Sequence, residues 1–137
     1  MVELGDEKVL YAFDKTLEPA LVVPSGTTVR VRTKDCFGNQ VQRPEDELDE
    51  IDWDHINPAT GPIFVESAVP GGALKVTIEA IEFDGQTASC TGEGEGVCGD
   101  RFDAWSTHLC KIDGDELVWD ETLRIPLRPM IGVIGVA

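Results

Sequence analysis

Two short stretches carry residue types able to do chemistry. "TKDCFGNQV" sets a carboxylate, Asp35, and a thiol, Cys36, at the end of an alternating run and just before Gly38-Asn39. The residues alone leave two readings open. Asp35 either enters a hairpin with a Gly-Asn turn, or it is a carboxylate held at a strand terminus and aimed into a cleft. Cys36 could act as a nucleophile only beside a basic group that lowers its pKa, and adjacent Asp35 does the opposite. The second stretch, "INPATGPIFVE", brings Pro58, Gly61 and Pro62 close together. Proline fixes φ and glycine permits an unusual turn. Such a loop loses little entropy on folding. It could present Asn57 and Thr60 as donors and acceptors in set positions, which is what a binding loop needs. An ordinary strand-entry turn needs the same rigidity.

Other candidate motifs weaken on inspection. "GEGVCG" (Gly94, Gly96, Gly99) matches the dinucleotide fingerprint, but "DRFDAWSTHL" follows it with poor helical periodicity. The fingerprint needs a strand before it and a helix after it, so a glycine-rich loop is expected instead. "DWDHIN" lacks the central glycine and distal glutamate of a calcium loop. No G-x-S-x-G is present, so a nucleophile elbow is unsupported. His55 and His108 are the only histidines, and nothing in their spacing makes them ligands. Cys36, Cys90, Cys98 and Cys110 form no C-x-x-C pair, which argues against a zinc ribbon or a thioredoxin-type site.

The elements that must position these residues read as strands. "TTVRVRTK" places Val29 and Val31 on one face, with Arg30, Arg32 and Lys34 on the other. "ALKVTIEAIEF" alternates Leu74, Val76, Ile78 and Ala80 with Lys75, Thr77 and Glu79. Period two of this kind predicts half-buried antiparallel strands. "VLYAF", "ALVV", "IFVE", "ELVW" and "TLRIPL" are shorter candidates. Turn signals separate them at Pro24-Ser25-Gly26, Pro70-Gly71-Gly72, Asp84-Gly85 and Asp113-Gly114. "KIDGDELVW" predicts a hairpin with a type I′ turn. "PEDELDEIDWD" breaks the pattern and predicts a short helical turn or an extended, solvated loop, with Leu48 and Ile51 three apart. The expected fold is all-β, a sandwich of antiparallel strands with at most short helical turns, formed as a single domain over residues 1–137.

The net charge of −15 excludes a nucleic-acid partner and an anionic membrane surface, both of which demand a basic face. Solubility and self-repulsion account for such a charge. The N-terminus has no signal-peptide pattern, and no segment approaches the length of a membrane helix. Reduced thiols in the cytoplasm are therefore the expectation.

Taken together, "DCFGNQV" (Asp35 to Val41), "INPATGPIFVE" (Ile56 to Glu66), "PGGALKVTI" (Pro70 to Ile78) and "RPMIGVIGVA" (Arg128 to Ala137) resemble, in order, the N-terminal half of the acetamidase/formamidase family. Ser67 departs from it, since a small residue, usually glycine, is expected after the glutamate. Residues 87–111 match no motif of the family. The resemblance implies hydrolysis of short aliphatic amides, such as formamide and acetamide, to the carboxylate and ammonia. It implies a cytoplasmic homo-oligomer and a chain roughly twice as long, so the apolar run ending at Ala137 is expected to be an interior strand whose continuation is missing. Association with the missing C-terminal half follows.

By the same resemblance Asp35 is expected to supply one carboxylate to a divalent metal, zinc being the first choice. Glu66 is a weaker candidate for ligand or general base, with Asn57 and Thr60 toward substrate. The remaining ligands would come from outside these residues. The other reading kept open is a non-catalytic β-sandwich module that binds a small molecule or a partner.

Overall fold

In the computed structural model, which describes residues 1–83 and 85–137, the contacts sort the chain into two units. Asp84, half of one expected turn signal, lies outside the described residues. The class is the all-β sandwich class expected, with strands throughout and, among the described residues, no helix beyond two 310 turns at Trp53–His55 and Gly99–Arg101.

The first unit comprises residues 1–38, 54–79 and 131–137. Its strands are β1 (Val2–Leu4), β2 (Val9–Leu10), β3 (Leu21–Pro24), β4 (Val29–Val31), β5 (Ala59–Thr60) and β6 (Ile63–Glu66). They form three separate pairs. β1 runs parallel to β4, with Val2 opposite Val29, and β3 runs parallel to β6, with Val23 opposite Val65. β2 and β5 are antiparallel, with Val9 opposite Thr60. Two of the three pairs are therefore parallel, where alternation predicted antiparallel ones. Period two specifies which face a residue occupies, not the direction of its neighbour. Val23 is buried here, consistent with an apolar strand covered on one face.

The second unit comprises residues 39–53 and 80–130. It is built on one four-stranded antiparallel sheet of β7 (Gln86–Thr91), β8 (Ser106–Asp113), β9 (Glu116–Val118) and β10 (Arg124–Pro126), in the order β10-β9-β8-β7. The ladder from β7 to β8 is six residues long and includes Thr87 opposite Cys110 and Cys90 opposite Thr107. Cys110 and Val41 are its most deeply buried side chains, and burial pushes the Cys110 thiol pKa up. No disulfide joins any of the four cysteines.

The expected β8–β9 hairpin forms, but its turn differs. Asp113 pairs with Glu116, so the two loop residues are Gly114 and Asp115. Only Gly114 takes a positive φ, 62°. A type I′ turn needs positive φ at both positions, so this is a II′-like turn with glycine first.

The acidic stretch at 45–54 is a tied loop. Asp46 accepts hydrogen bonds from the backbone N–H groups of Gln42 and Arg43, at 2.8 and 2.9 Å, and from the Arg43 guanidinium at 2.7 Å. These donors hold its carboxyl below the usual carboxylate range, the Gln42 N–H contributing most. Leu48 turns inward and is buried, while the Trp53 indole N–H donates to its carbonyl at 2.8 Å. One carboxylate and one leucine thus anchor the loop, which ends in the 310 turn at Trp53–His55.

Two predicted strands are absent. Residues 73–83 and 127–137 carry no strand assignment, although both alternate. Leu74, Val76 and Ile78 are exposed. A strand needs partners for its backbone as well as a pattern in its side chains, and among the described residues no ladder includes these segments, the second being tied only at its start, by the Leu127 N–H to the Asp115 carbonyl at 2.8 Å.

Candidate active site

The first unit holds every residue singled out for chemistry in the two opening stretches. After β4 the chain enters a turn in which the Asp35 carboxylate accepts the Phe37 N–H at 3.0 Å and the Asp35 carbonyl accepts the Gly38 N–H at 3.0 Å. Gly38 takes φ 67° and Asn39 φ 63°. Both are left-handed positions that suit this Gly-Asn pair. No strand follows Asn39 to complete the hairpin that was one reading of this stretch. The turn is an Asx turn instead, with the Asp35 side chain exposed.

The Asn57 backbone N–H donates to the Cys36 carbonyl at 2.7 Å. This bond joins the Asp35 turn to the "NPATGP" loop. Asn57 itself is left-handed, with φ 51°, as asparagine tolerates. Pro58 and Gly61 are buried, Gly61 has φ 145°, and its peptide to Pro62 is cis. The loop is further tied by Gly61 N–H to the Lys8 carbonyl at 3.1 Å. The Thr60 hydroxyl donates to the Arg32 carbonyl at 3.0 Å, so it holds the segment leading into the Asp35 turn. Asp35, Cys36, Asn57 and Thr60 are therefore parts of one tied pair of loops.

The structure adds a contact that sequence reasoning missed. Tyr11 meets His55 edge to face, with ring centroids 4.8 Å apart. Tyr11 follows directly on β2, which pairs with β5, so the strand register delivers it beside the "NPATGP" loop. No local pattern announces this, because the pairing spans some fifty residues of chain.

Glu66 is not brought to this group by any hydrogen bond. It ends β6 opposite Pro24, three residues beyond Ile63 and thus about 10 Å further along the strand. His108 belongs to the second unit, where its ring Nε2 lies 2.7 Å from the Trp119 carbonyl and its ring stacks on Trp119. That imidazole is committed to packing. The glycine-rich segment is a loop closed by Gly94 N–H to Gly99 carbonyl at 3.1 Å, as expected, and not a nucleotide fingerprint. A shallow cavity of about 260 Å³ lies in the first unit, lined by Leu10, Tyr11, Leu17, Gly61 and Pro62, with Lys8 and Asp14 also on its wall. It touches the loop on the Gly61 side.

Among the described residues, no group of three or more His, Cys, Asp and Glu side chains is placed to hold a metal ion. Tetrahedral or open catalytic sites need at least three protein ligands. The residues present here do not make one by themselves. No helix among the described residues is long and apolar enough to cross a membrane.

The comparisons bear on what these loops belong to. A profile described as the Acetamidase/Formamidase family matches residues 5–137. The chain belongs to the acetamidase/formamidase family. A solved structure of a predicted acetamidase/formamidase from the thermophile Thermoanaerobacter tengcongensis is 45% identical, with a TM-score of 0.93 over 99% of this chain and 45% of that one. An acetamidase from Bacillus halodurans is 36% identical, with a TM-score of 0.83 over 96% of this chain and 45% of that one. An acetamidase from Yersinia enterocolitica, 17% identical with a TM-score of 0.64 over 91% of this chain and 43% of that one, shares the fold. The chain thus spans less than half the length of the solved structures it matches. A comparison with curated proteins gave no match.

Proposed function

We propose that this chain is part of an amide hydrolase that converts short aliphatic amides, such as formamide and acetamide, and water to the carboxylate and ammonia. One observation supports it most: in a member of the acetamidase/formamidase family, the Asn57 N–H to Cys36 carbonyl bond ties the turn bearing Asp35 to the rigid "NPATGP" loop. Amides are poor electrophiles, so hydrolysis needs an activated water and donors for the developing oxyanion. Asp35, exposed on its turn, is this chain's carboxylate for that work. Asn57 borders the substrate, and Thr60 orients the site through the Arg32 carbonyl. Glu66 is the reserve carboxylate, as general base or ligand.

A divalent metal, zinc by expectation, would supply Lewis acidity to the amide carbonyl. Its further ligands would come from outside residues 1–137, and these residues supply only part of the site. A cytoplasmic homo-oligomer completes the proposal. Four cysteines joined by no disulfide suit a reducing compartment.

The test is ammonia release from formamide and acetamide by the assembled protein, with metal content measured on the same preparation. Turnover of both amides is expected. Release by neither would remove the reading.

A further inference from the structure

The cavity of the first unit is walled by three segments: β2 with the residues that flank it, the turn at 14–17, and Gly61-Pro62. Hydrogen bonds fix each of them. The Gly61 N–H donates to the Lys8 carbonyl at 3.1 Å, and the Ala20 N–H donates to the Pro62 carbonyl at 2.8 Å. The Leu17 N–H closes the turn on the Asp14 carbonyl at 3.2 Å. The Lys8 ammonium donates to the Glu18 carbonyl, so the chain beyond the turn is bound back to the start of β2. These walls are in place before any ligand arrives, which spares the ligand part of the ordering cost of binding.

The lining is apolar apart from one group of each charge. Leu10, Tyr11, Leu17 and Pro62 supply carbon surface, while Lys8 and Asp14 face the same space. Both charged groups are exposed, yet among the described residues no ion pair joins them. Each has capacity to spare. The N–H and the hydroxyl of Thr16 both donate to Asp14 Oδ1, at 2.8 Å each, which leaves Oδ2 as an acceptor. Those two bonds hold the carboxyl below the usual carboxylate range, so it stays ionised at neutral pH. The Lys8 ammonium has three N–H donors, and the Glu18 carbonyl takes one.

Charge decides what fits between them. An anion drawn to Lys8 meets Asp14, and a cation drawn to Asp14 meets Lys8. A neutral molecule with a donor and an acceptor meets neither repulsion. A primary carboxamide is a compact group of this kind: its NH2 donates to Asp14 Oδ2 and its carbonyl accepts from Lys8 Nζ. The volume of about 260 Å³ leaves room for a carbon body larger than a methyl group against Leu10, Leu17 and Pro62. We infer that this cavity is a binding site for small neutral carboxamides with a branched carbon body, recognised by Asp14 and Lys8 and separate from the Asp35 turn. The inference deepens the proposed function and rests on it for its purpose: an amide held here stands at the Gly61 end of the loop that carries Asn57 and Thr60. Tyr11, which lines the cavity and touches His55, links the occupant to the other end of that loop.

The probe is isobutyramide, titrated into the assembled protein carrying 13C-labelled tyrosine. Tyr11 is the only tyrosine of residues 1–137, and the Tyr11→Phe variant assigns its signal. A saturable shift of that signal is expected, with a dissociation constant of about 1 mM. Acetamide should bind about tenfold more weakly, having two fewer carbons to place on the apolar wall. Isobutyrate and isobutylamine, of the same carbon skeleton but charged, should bind more weakly than isobutyramide. Asp14→Asn keeps an oxygen for Thr16 and turns Oδ2 into an NH2 donor. It should weaken isobutyramide by about tenfold and strengthen isobutyrate, so that the preference reverses. An Asp14 that only shaped its turn would leave the preference as it was. No shift of Tyr11 by isobutyramide would overturn the inference, as would tighter binding of either charged analogue by the wild type or an unchanged preference in Asp14→Asn. Binding at Tyr11 without ammonia release from any amide would instead overturn the amide-hydrolase reading and leave the cavity site standing.

Discussion

Strand β7, "QTASCT", has almost no apolar alternation, yet it pairs along its whole length with β8. "ALKVTIEAI" alternates cleanly and pairs with nothing among the described residues. The contrast separates two requirements that are usually met together. A ladder needs a second backbone within reach, and β8 is delivered to β7 by the loop at 92–105. A side-chain row needs cover. In β7–β8 the backbone condition is met with Thr, Ser and Cys, which fit a half-covered pleated surface. In 73–81 and 130–136 only the side-chain pattern is met. The strongest strand signal in the sequence therefore marks where the molecule is least paired.

Breaking the paired region should cost most. Gly92 is buried, and a Cβ there would sit 2.1 Å from the Trp105 ring, which itself leans on Trp53. Gly92→Ala forces that ring aside and should lower unfolding stability by about 1–3 kcal/mol. The check is urea unfolding followed by tryptophan fluorescence.

Acid should act on the same region. Asp46 is held below the usual carboxylate range by the Gln42 N–H and then the Arg43 guanidinium, and Asp120 by the Thr122 N–H and hydroxyl. Both are more acidic folded than unfolded. Their contribution is present above the unfolded value of about 3.9 and is lost as pH falls below it through the folded values. In the first unit Asp14 has the same Asx arrangement with Thr16. Asp46→Asn should lower the melting temperature at neutral pH and flatten its fall in acid. A variant with an unchanged acid profile would show that the loop anchor contributes nothing.

Thr60→Val removes the bond to the Arg32 carbonyl and should cost about 1 kcal/mol. Melting of the variant, with exchange at 57–61 rising, would show that this hydroxyl fixes the two loops. Gly135→Ala meets the Phe13 ring at 2.7 Å, but Phe13 is exposed and can swing outward. The expected cost is below about 0.5 kcal/mol. Gly135→Ala as damaging as Gly92→Ala would contradict the division between a closed region and an open one.

Much of this was readable from residue types. The "IFVE" strand, the loop at "NPATGP", the glycine-rich loop at 92–99 and the hairpin near Gly114 all follow from local turn and strand chemistry. β7 and most of β8 were not readable, because their apolar content is low and their pairing is what makes them strands. The parallel direction of β1–β4 and β3–β6 is set by long connections that alternation does not encode. For the site, Asp35 stood out as a carboxylate at a strand end before Gly38-Asn39, and Asn57 and Thr60 because they sit among glycine and proline. Their joining by the Asn57 to Cys36 bond, and the arrival of Tyr11 against His55, depend on register between distant segments. Glu66 was chosen for its place after "IFV", and it ends β6 opposite Pro24.

The most direct measurement compares Asp35→Asn with the wild type in the assembled protein. Ammonia release from formamide, metal content and melting temperature are read on one preparation. The account predicts turnover reduced by about a hundredfold or more, with metal retention weakened. The melting temperature should hold within about 2 °C, because Asn still accepts the Phe37 N–H through its side-chain oxygen. Normal turnover in the variant would contradict the assignment of Asp35, and so would a large loss of stability with turnover intact in the fraction that folds.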